Sequence, residues 1–142
     1  MKTKLVLVLM LCALAASNAF AENTPKVVLS AFDTYKASGY NEAFNVLLKG
    51  SPLESDKTTM MNLKGGFTQI EAMYGKMVGY EIIKSVMIST ATNRTYAELR
   101  YEKGPVFVFI DSYKSPNGWI VPRMLFHTDA EKIFPEDMIS KK

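Results

Sequence analysis

The chain has 142 residues, of which 48% are hydrophobic and 22% charged, which is enough for one folded domain with a hydrophobic core. Its formal net charge is +3 at pH 7, and two of its 17 basic residues, Lys2 and Lys4, lie at the amino terminus. Without these two lysines 15 basic residues face 14 acidic ones, so the charge predicts neither nucleic-acid binding nor attachment to a membrane surface.

The first 21 residues have the three parts of a secretory signal peptide. Two lysines precede an apolar run over residues 5–16, and Ala19-Phe20-Ala21 provides a small-residue cleavage site. The run is shorter than the roughly 20 residues that span a bilayer, so we expect cleavage after Ala21 and no stable membrane anchor. The only cysteine, Cys12, leaves with the signal, and an exported domain without cysteine is typical of the bacterial periplasm. We therefore expect a periplasmic protein in which residues 22–142 form a single domain.

Two short helices are predicted at the start of this domain. Thr24 is a suitable N-cap, Pro25 a suitable first helical residue, and Ser38-Gly39 a suitable stop. Between them, apolar residues recur at the helical spacing i, i+3, i+4 and i+7. These residues are Val28, Ala31, Phe32 and Tyr35. A second helix is predicted over residues 41–49, with Gly50 as its stop.

A third, longer helix is predicted to begin at Ser51-Pro52-Leu53-Glu54 and to run to Tyr74. The serine and glutamate form a capping-box pattern, in which each side chain binds a backbone N–H of the first turn. Gly65-Gly66 lies within the helix and costs about 1 kcal/mol per glycine relative to alanine. The pair either breaks the helix or lets it approach the sheet closely, and we expect a continuous helix.

The second half of the domain has the pattern of four β-strands in an antiparallel meander. Runs rich in Val, Ile, Tyr, Phe and Thr are separated by the turn signals Lys103-Gly104-Pro105 and Lys114-Ser115-Pro116-Asn117-Gly118. The predicted strands are residues 78–89, 94–102, 106–113 and 119–127. The predicted fold class is therefore α+β, with N-terminal helices packed on a four-stranded antiparallel meander.

Side chains alternate between the two faces of a strand, so the last three strands predict two sheet faces. The apolar face is almost wholly hydrophobic, so we expect it to be buried. It collects Ala97, Leu99, Tyr101, Val106, Val108, Ile110, Ile120, Pro122, Met124 and Phe126. The aromatic face combines large aromatic residues with charges. It collects Tyr96, Glu98, Arg100, Phe107, Phe109, Asp111, Tyr113, Trp119, Val121, Arg123 and Leu125. The register of the first strand stays open, because a shift of one residue exchanges its faces.

The order of elements resembles the nuclear transport factor 2-like superfamily. The resemblance rests on the amphipathic helix at residues 27–35, the helix end at residues 67–74 followed by Gly75, and Asn117-Gly118-Trp119 before the last strand. It covers nearly all of residues 22–142 and looks most like the small exported bacterial members of unknown function. The resemblance implies a curved, cone-like sheet around the helices and an outer sheet face where two subunits meet. It implies no mechanism, because the acid–base residues of the superfamily's enzymes have no counterpart on the apolar face here.

The aromatic face is the predicted binding surface. An exposed patch of this size with tyrosine, tryptophan and arginine is typical of an interface. The candidate binding or interface residues are Tyr96, Arg100, Phe107, Phe109, Asp111, Trp119 and Arg123. Asp111 and Arg123 fall on adjacent strands and are expected to form either a surface ion pair or a ligand-binding pair. We expect a homodimer through this face; the alternative is that residues 133–139 fold back and cover it.

No sequence motif for catalysis, a metal or a cofactor is found. His127 is the only histidine, so a histidine cluster for a metal is excluded and no cofactor is predicted. The predicted function is that of a non-catalytic periplasmic protein that binds a small apolar molecule in the cone, a protein on its aromatic face, or both. The alternative is a small hydrolase- or isomerase-like enzyme with its active site in the cone. Such an enzyme would direct Asp111, Glu81 or His127 into a pocket with Tyr35 or Tyr101.

Overall fold

The computed structural model describes residues 22–139. Four helices precede a four-stranded antiparallel sheet, so the fold class is α+β as predicted. The elements are α1 (Lys26–Ser38), α2 (Tyr40–Leu47), α3 (Pro52–Ser55), α4 (Lys57–Tyr74), β1 (Met77–Met87), β2 (Thr92–Tyr101), β3 (Gly104–Ser115), β4 (Gly118–His127), a 3₁₀-helix (Ala130–Lys132) and α5 (Glu136–Ile139). The predicted signal peptide lies outside the described residues.

The first two helices follow their predicted patterns closely. The apolar stripe of α1 is buried along its whole length. The helix begins one residue later than expected, with Pro25 at the N-cap position, and stops at Gly39, whose φ of 89° only glycine adopts readily. α2 starts directly afterwards and ends at Leu47, two residues before its predicted end at residue 49, and its Phe44 and Leu47 are buried. The spacing of apolar residues was therefore a reliable guide to both helices.

The predicted third helix is two helices. α3 has four residues, and the chain leaves the helical conformation at Asp56. The Asp56 carboxylate accepts a hydrogen bond from the Thr59 N–H at 3.0 Å and so caps α4. The predicted capping box is wrong, because Glu54 accepts from the Gly50 N–H at 2.7 Å and the Ser51 hydroxyl makes no cap hydrogen bond.

α4 runs without interruption through Gly65-Gly66, and one of these glycines lets it approach the sheet. A Cβ atom at Gly66 would lie 2.6 Å from the ring of Phe126 on β4, whereas one at Gly65 would meet nothing within 4 Å. The Phe126 ring in turn contacts Phe67 of α4, with 4.7 Å between the ring centroids. Gly66 therefore permits a close contact between the long helix and an edge strand.

The buried apolar side chains form two clusters. The main core combines residues of α1, α2 and α4 with residues of the apolar face, among them Phe32, Phe67, Leu99 and Val108. The second, smaller cluster joins residues of the aromatic face to Ile133 near the carboxyl end. The sheet therefore has buried side chains on both faces.

The strand order β1-β2-β3-β4 is the predicted meander. With Lys103-Gly104 as the two loop residues of the first hairpin, Leu99 would lie opposite Val108. The hairpin turns one residue earlier, and Leu99 lies opposite Val106. This is a shift of two residues, and the side-chain period of a strand is also two. All side chains of β2 and β3 therefore keep their predicted faces.

β4 contains a bulge near its start. Asp111 lies opposite Arg123 but Tyr113 lies opposite Ile120, so β4 has one residue more than β3 between these two pairs. Pro122, which cannot donate to the strand ladder, lies within the extra stretch. From Arg123 onward the side chains keep their predicted faces, although the register differs by two residues, because Arg123 lies directly opposite Asp111 and not one diagonal step away. Before Arg123 the side chains change face.

This bulge corrects the predicted placement of Trp119 and Val121. Strict alternation predicts both residues on the aromatic face. Val121 is instead fully buried within the main core, and Trp119 lines a groove with residues 22–27. The prediction that Trp119 shares a surface with Phe109 is therefore wrong.

The pairing of β1 with β2 is irregular at two points, between the pairs Met77–Tyr101 and Gly79–Arg100 and, as a bulge, between the pairs Ile82–Ala97 and Lys84–Tyr96. Ile82 consequently packs against the main core, while Val86 lies on the aromatic face. Strict alternation of side chains between the two sheet faces therefore does not hold along the whole of β1, because the face that the even-numbered residues take changes at the bulge.

Candidate functional site

The aromatic face is divided into a covered and an open part. The covered part contains Tyr96 and Phe109, each 7% exposed. The C-terminal segment, residues 130–139, lies over it: the Phe134 ring is 5.8 Å from that of Tyr96 and 5.3 Å from that of Phe107. At the centre of the aromatic face, the structure therefore shows the second of the two predicted alternatives, in which the C-terminal segment folds back and covers the rings. These rings contact the chain's own residues and need no second subunit to leave water.

Two arginines and one carboxylate lie beside the covered rings. Arg94 donates to both oxygens of Asp111 at 2.6 and 2.8 Å, a bidentate pair whose hydrogen bonds raise the pKa of Arg94. The alternative of an Asp111–Arg123 ion pair is therefore wrong, although the two residues lie directly opposite each other. The guanidinium groups of Arg94 and Arg123 both lie over the Phe109 ring, 4.6 and 5.1 Å from its centroid.

Arg100 lies towards the other end of the aromatic face and is bound by two carboxylates. Its Nε donates to Glu98 at 2.7 Å and its Nη2 donates to Glu81. The arginine side chain is half exposed, and surface ion pairs of this kind contribute about 0–1 kcal/mol. Arg100 is therefore engaged within its own chain.

The open part of the aromatic face carries exposed apolar side chains on β3 and β4 and at the end of β1. Val86, Ile88, Tyr113 and Leu125 are 37, 58, 45 and 43% exposed, respectively. Arg123 is also exposed, and no carboxylate of residues 22–139 lies within 4 Å of its guanidinium nitrogens. We call these five residues the open patch. The sequence does not single out Val86 and Ile88, because the bulge in β1 decides which face they take.

The interior between the helices and the apolar face is filled by aromatic rings. The space that remains measures about 20 Å³ and is lined by Tyr35, Phe44 and Phe67, among others. It is about the size of one water molecule, whereas pockets for small molecules usually measure about 300 Å³ or more. The small apolar ligand expected there stays a prediction that requires these rings to move.

Two buried tyrosines connect this interior to a polar groove. The Tyr101 hydroxyl donates to the Tyr35 hydroxyl at 2.9 Å, and the latter donates to Glu71 Oε1 at 3.0 Å. We call these three residues the tyrosine relay. Burial raises the pKa of both tyrosines, so both hydroxyls stay protonated at neutral pH. The sequence does not reveal the relay, because its members lie on β2, α1 and α4 and no local pattern connects them.

The residues named for an active site do not meet the buried tyrosines. Asp111 and Glu81 are bound by arginines, and His127 Nδ1 accepts from the Asp129 N–H at 2.9 Å. All three strand residues have positions on the aromatic face, on the opposite side of the sheet from the tyrosine relay. Within residues 22–139 no group of three or more His, Cys, Asp or Glu side chains is placed to hold a metal ion.

The chain matches no protein-family model, no curated protein and no solved structure. None of the helices between residues 22 and 139 is long and apolar enough to span a membrane. The functional interpretation therefore rests on the chemistry of the open patch and of the tyrosine relay.

Proposed function

We propose that this protein is an exported, non-catalytic interaction protein that forms a homodimer through the open patch. The observation that carries the proposal is the open patch itself, in which exposed apolar side chains share one sheet face with an arginine that has no carboxylate partner among the described residues. Surfaces that combine aliphatic and aromatic residues with arginine are typical of protein interfaces. Export is inferred from the signal-peptide pattern of residues 1–21.

Charge complementarity favours a second copy of the chain as the partner. The C-terminal segment contributes the exposed residues Glu131, Glu136 and Asp137, none of which forms an ion pair within residues 22–139. This segment and Arg123 belong to the same side of the sheet. A two-fold axis can place the acidic segment of one copy against Arg123 of the other. Such a contact closes after two copies.

The proposal includes the cone-like fold of the nuclear transport factor 2-like superfamily. Phe32 of α1 lies 5.0 Å from the ring of Tyr80 on β1, and Phe67 of α4 lies 4.7 Å from the ring of Phe126 on β4. β1 and β4 are the two edges of the sheet, so contacts of helices with both edges support a sheet that curves around the helices. The resemblance implies subunit contacts on the outer sheet face, and the open patch lies on that face in this proposal.

The alternative of an enzyme gains no support from the tyrosine relay. A general base must be able to accept a proton near the operating pH. The raised pKa values of Tyr35 and Tyr101 keep both groups protonated, so they act as hydrogen-bond donors. Glu71 accepts one of these bonds and is better suited to hold a ligand group.

Sedimentation of the purified protein over a range of concentrations tests the homodimer. We expect Leu125→Lys to raise the dimer dissociation constant about tenfold or more, because a lysine buried in an interface loses its hydration without a partner. Arg123→Glu should also weaken the dimer, since it sets a carboxylate against the acidic segment of the other copy. Met61→Lys is the matched control, because Met61 is 68% exposed on α4 and should leave the dimer unchanged.

The variant Trp119→Ala distinguishes a dimer through the open patch from a dimer through the aromatic face as strict strand alternation predicts it, with Trp119 as part of the interface. Trp119 lies beside residues 22–27, and the bulge in β4 takes it off the aromatic face that carries the open patch, so this variant should dimerise like the wild type. A dimer lost with Trp119→Ala but kept with Leu125→Lys would refute the open patch as the interface.

A further inference from the structure

A second candidate site lies where α1 and α4 end and β1 begins. A groove of about 280 Å³ opens there, and its lining includes Tyr35, Lys36, Glu71 and Lys76. Tyr35 belongs to the main core, whereas the open patch lies on the aromatic face, so the two sites are separate. The homodimer does not use this groove.

One pole of the groove is a carboxylate that the fold holds in place. Glu71 Oε1 accepts the hydrogen bond of Tyr35, whose hydroxyl is fixed in turn by Tyr101, while Oε2 has no hydrogen-bond partner within residues 22–139. A carboxylate anchored through one oxygen and open at the other is a positioned acceptor for an ammonium group.

The other pole is cationic. Lys36 and Lys76 line the same groove, and no carboxylate of residues 22–139 lies within 4 Å of either ammonium group. The nearby Glu102 accepts from the backbone N–H of Lys76 at 3.3 Å, which binds that carboxylate to the main chain. Two ammonium groups on one concave surface attract a carboxylate group.

We propose that this groove binds a small zwitterion of the amino-acid class, with its ammonium on Glu71 and its carboxylate between Lys36 and Lys76. A single charge of either sign satisfies one pole and is repelled by the other, whereas a zwitterion satisfies both. The groove is at the small end of ligand sites, which suits a molecule of this size. The proposal is independent of the homodimer, so each can fail without the other.

Titration calorimetry of the purified protein with the twenty standard amino acids tests this proposal. The amino acid that binds best is then compared with its N-acetyl derivative and with its carboxamide, each of which lacks one of the two charges. Both analogues should bind about tenfold more weakly or worse, because each leaves one charged pole of the groove without its partner. No binding of any amino acid in the millimolar range overturns the proposal, as does equally tight binding of acetate or of either analogue.

Substitutions in the groove test whether the amino acid binds there, by the same titration calorimetry. Glu71→Gln and Lys76→Ala should each weaken binding about tenfold, while Glu42→Gln and Lys57→Ala, which change exposed residues of α2 and α4 outside the groove, should leave it unchanged. Lys76 is exposed, so its replacement is informative even if Glu71→Gln lowers the melting temperature. Binding that survives both groove variants overturns the assignment of the site.

Discussion

Tyr35 and Tyr101 are buried hydroxyl groups that depend on each other. A hydroxyl that loses its partner in such a place costs about 1–3 kcal/mol, so their mutual hydrogen bond matters for the fold. The tyrosine relay ends on Glu71, which is partly exposed at the groove. Three polar groups therefore satisfy one another between the main core and the solvent, and they hold the carboxylate in the position that the proposed ligand requires.

The tyrosine relay predicts a loss of stability at alkaline pH. Burial raises the pKa of Tyr35 and Tyr101 in the folded protein above the ordinary value of 10.0, so folding favours the protonated form. This stabilisation is complete below pH 10 and is lost as the pH rises further, by at most about 1.4 kcal/mol per pH unit for each tyrosine. Urea unfolding at a series of pH values should show this decline.

Tyr35→Phe should reduce the slope of unfolding free energy against pH in this alkaline range by at most about 1.4 kcal/mol per pH unit, because one of the tyrosines whose pKa folding raises is gone. At neutral pH the same variant should be less stable by about 1–2 kcal/mol, since Tyr101 and Glu71 lose a partner. An unchanged alkaline slope would show that these hydroxyls do not titrate with unfolding.

Among the elements, the strands show most clearly what a sequence can and cannot determine. The four strands and their order follow from turn signals and residue types, and β2 and β3 keep their predicted faces. The bulges in β1 and β4 each add one residue on one strand, and no local signal marked either of them apart from Pro122. A bulge is decided by how both strands pack on the layers around them, so Trp119 and Val121 were placed on the wrong face.

The two adjacent glycines of α4 offer a matched pair of substitutions. Gly65→Ala should stabilise the protein by about 0.5–1 kcal/mol, because alanine favours the helix and its Cβ meets nothing within 4 Å. Gly66→Ala should destabilise it by about 1–3 kcal/mol, because its Cβ would meet the Phe126 ring, which is held against Phe67. Urea unfolding of both variants checks the difference, and equal effects would contradict the close approach of α4 to β4.

For the whole molecule, the arrangement of the C-terminal segment is the main result that the sequence left open. The aromatic face was recognised from alternation, but its cover depends on contacts between residues such as Phe134 and Tyr96, which lie far apart in the chain. A segment this short has too little pattern to indicate where it docks. The candidate site therefore moved from the covered centre of the face, around Phe109, to the exposed residues of the open patch.

Phe134→Ala should loosen the C-terminal segment. The ring contacts Tyr96 and Phe107 but is itself only partly buried, so we expect a loss of about 1–3 kcal/mol, less than for a core phenylalanine. Limited proteolysis should then cut the chain faster between residues 128 and 139, which mass spectrometry can locate. Ile139→Ala, at the exposed end of α5, is the control and should be cut like the wild type. Equal cleavage of Phe134→Ala would mean that this ring does not hold the segment.

The mass of the purified protein in solution tests the central claim most directly. Light scattering at rising protein concentration should give twice the mass of one chain. Added salt should shift the mass back towards that of one chain, because salt screens the proposed contact between Arg123 and the acidic residues of the C-terminal segment. The mass of a single chain at every concentration and at low salt would contradict a homodimer through the open patch.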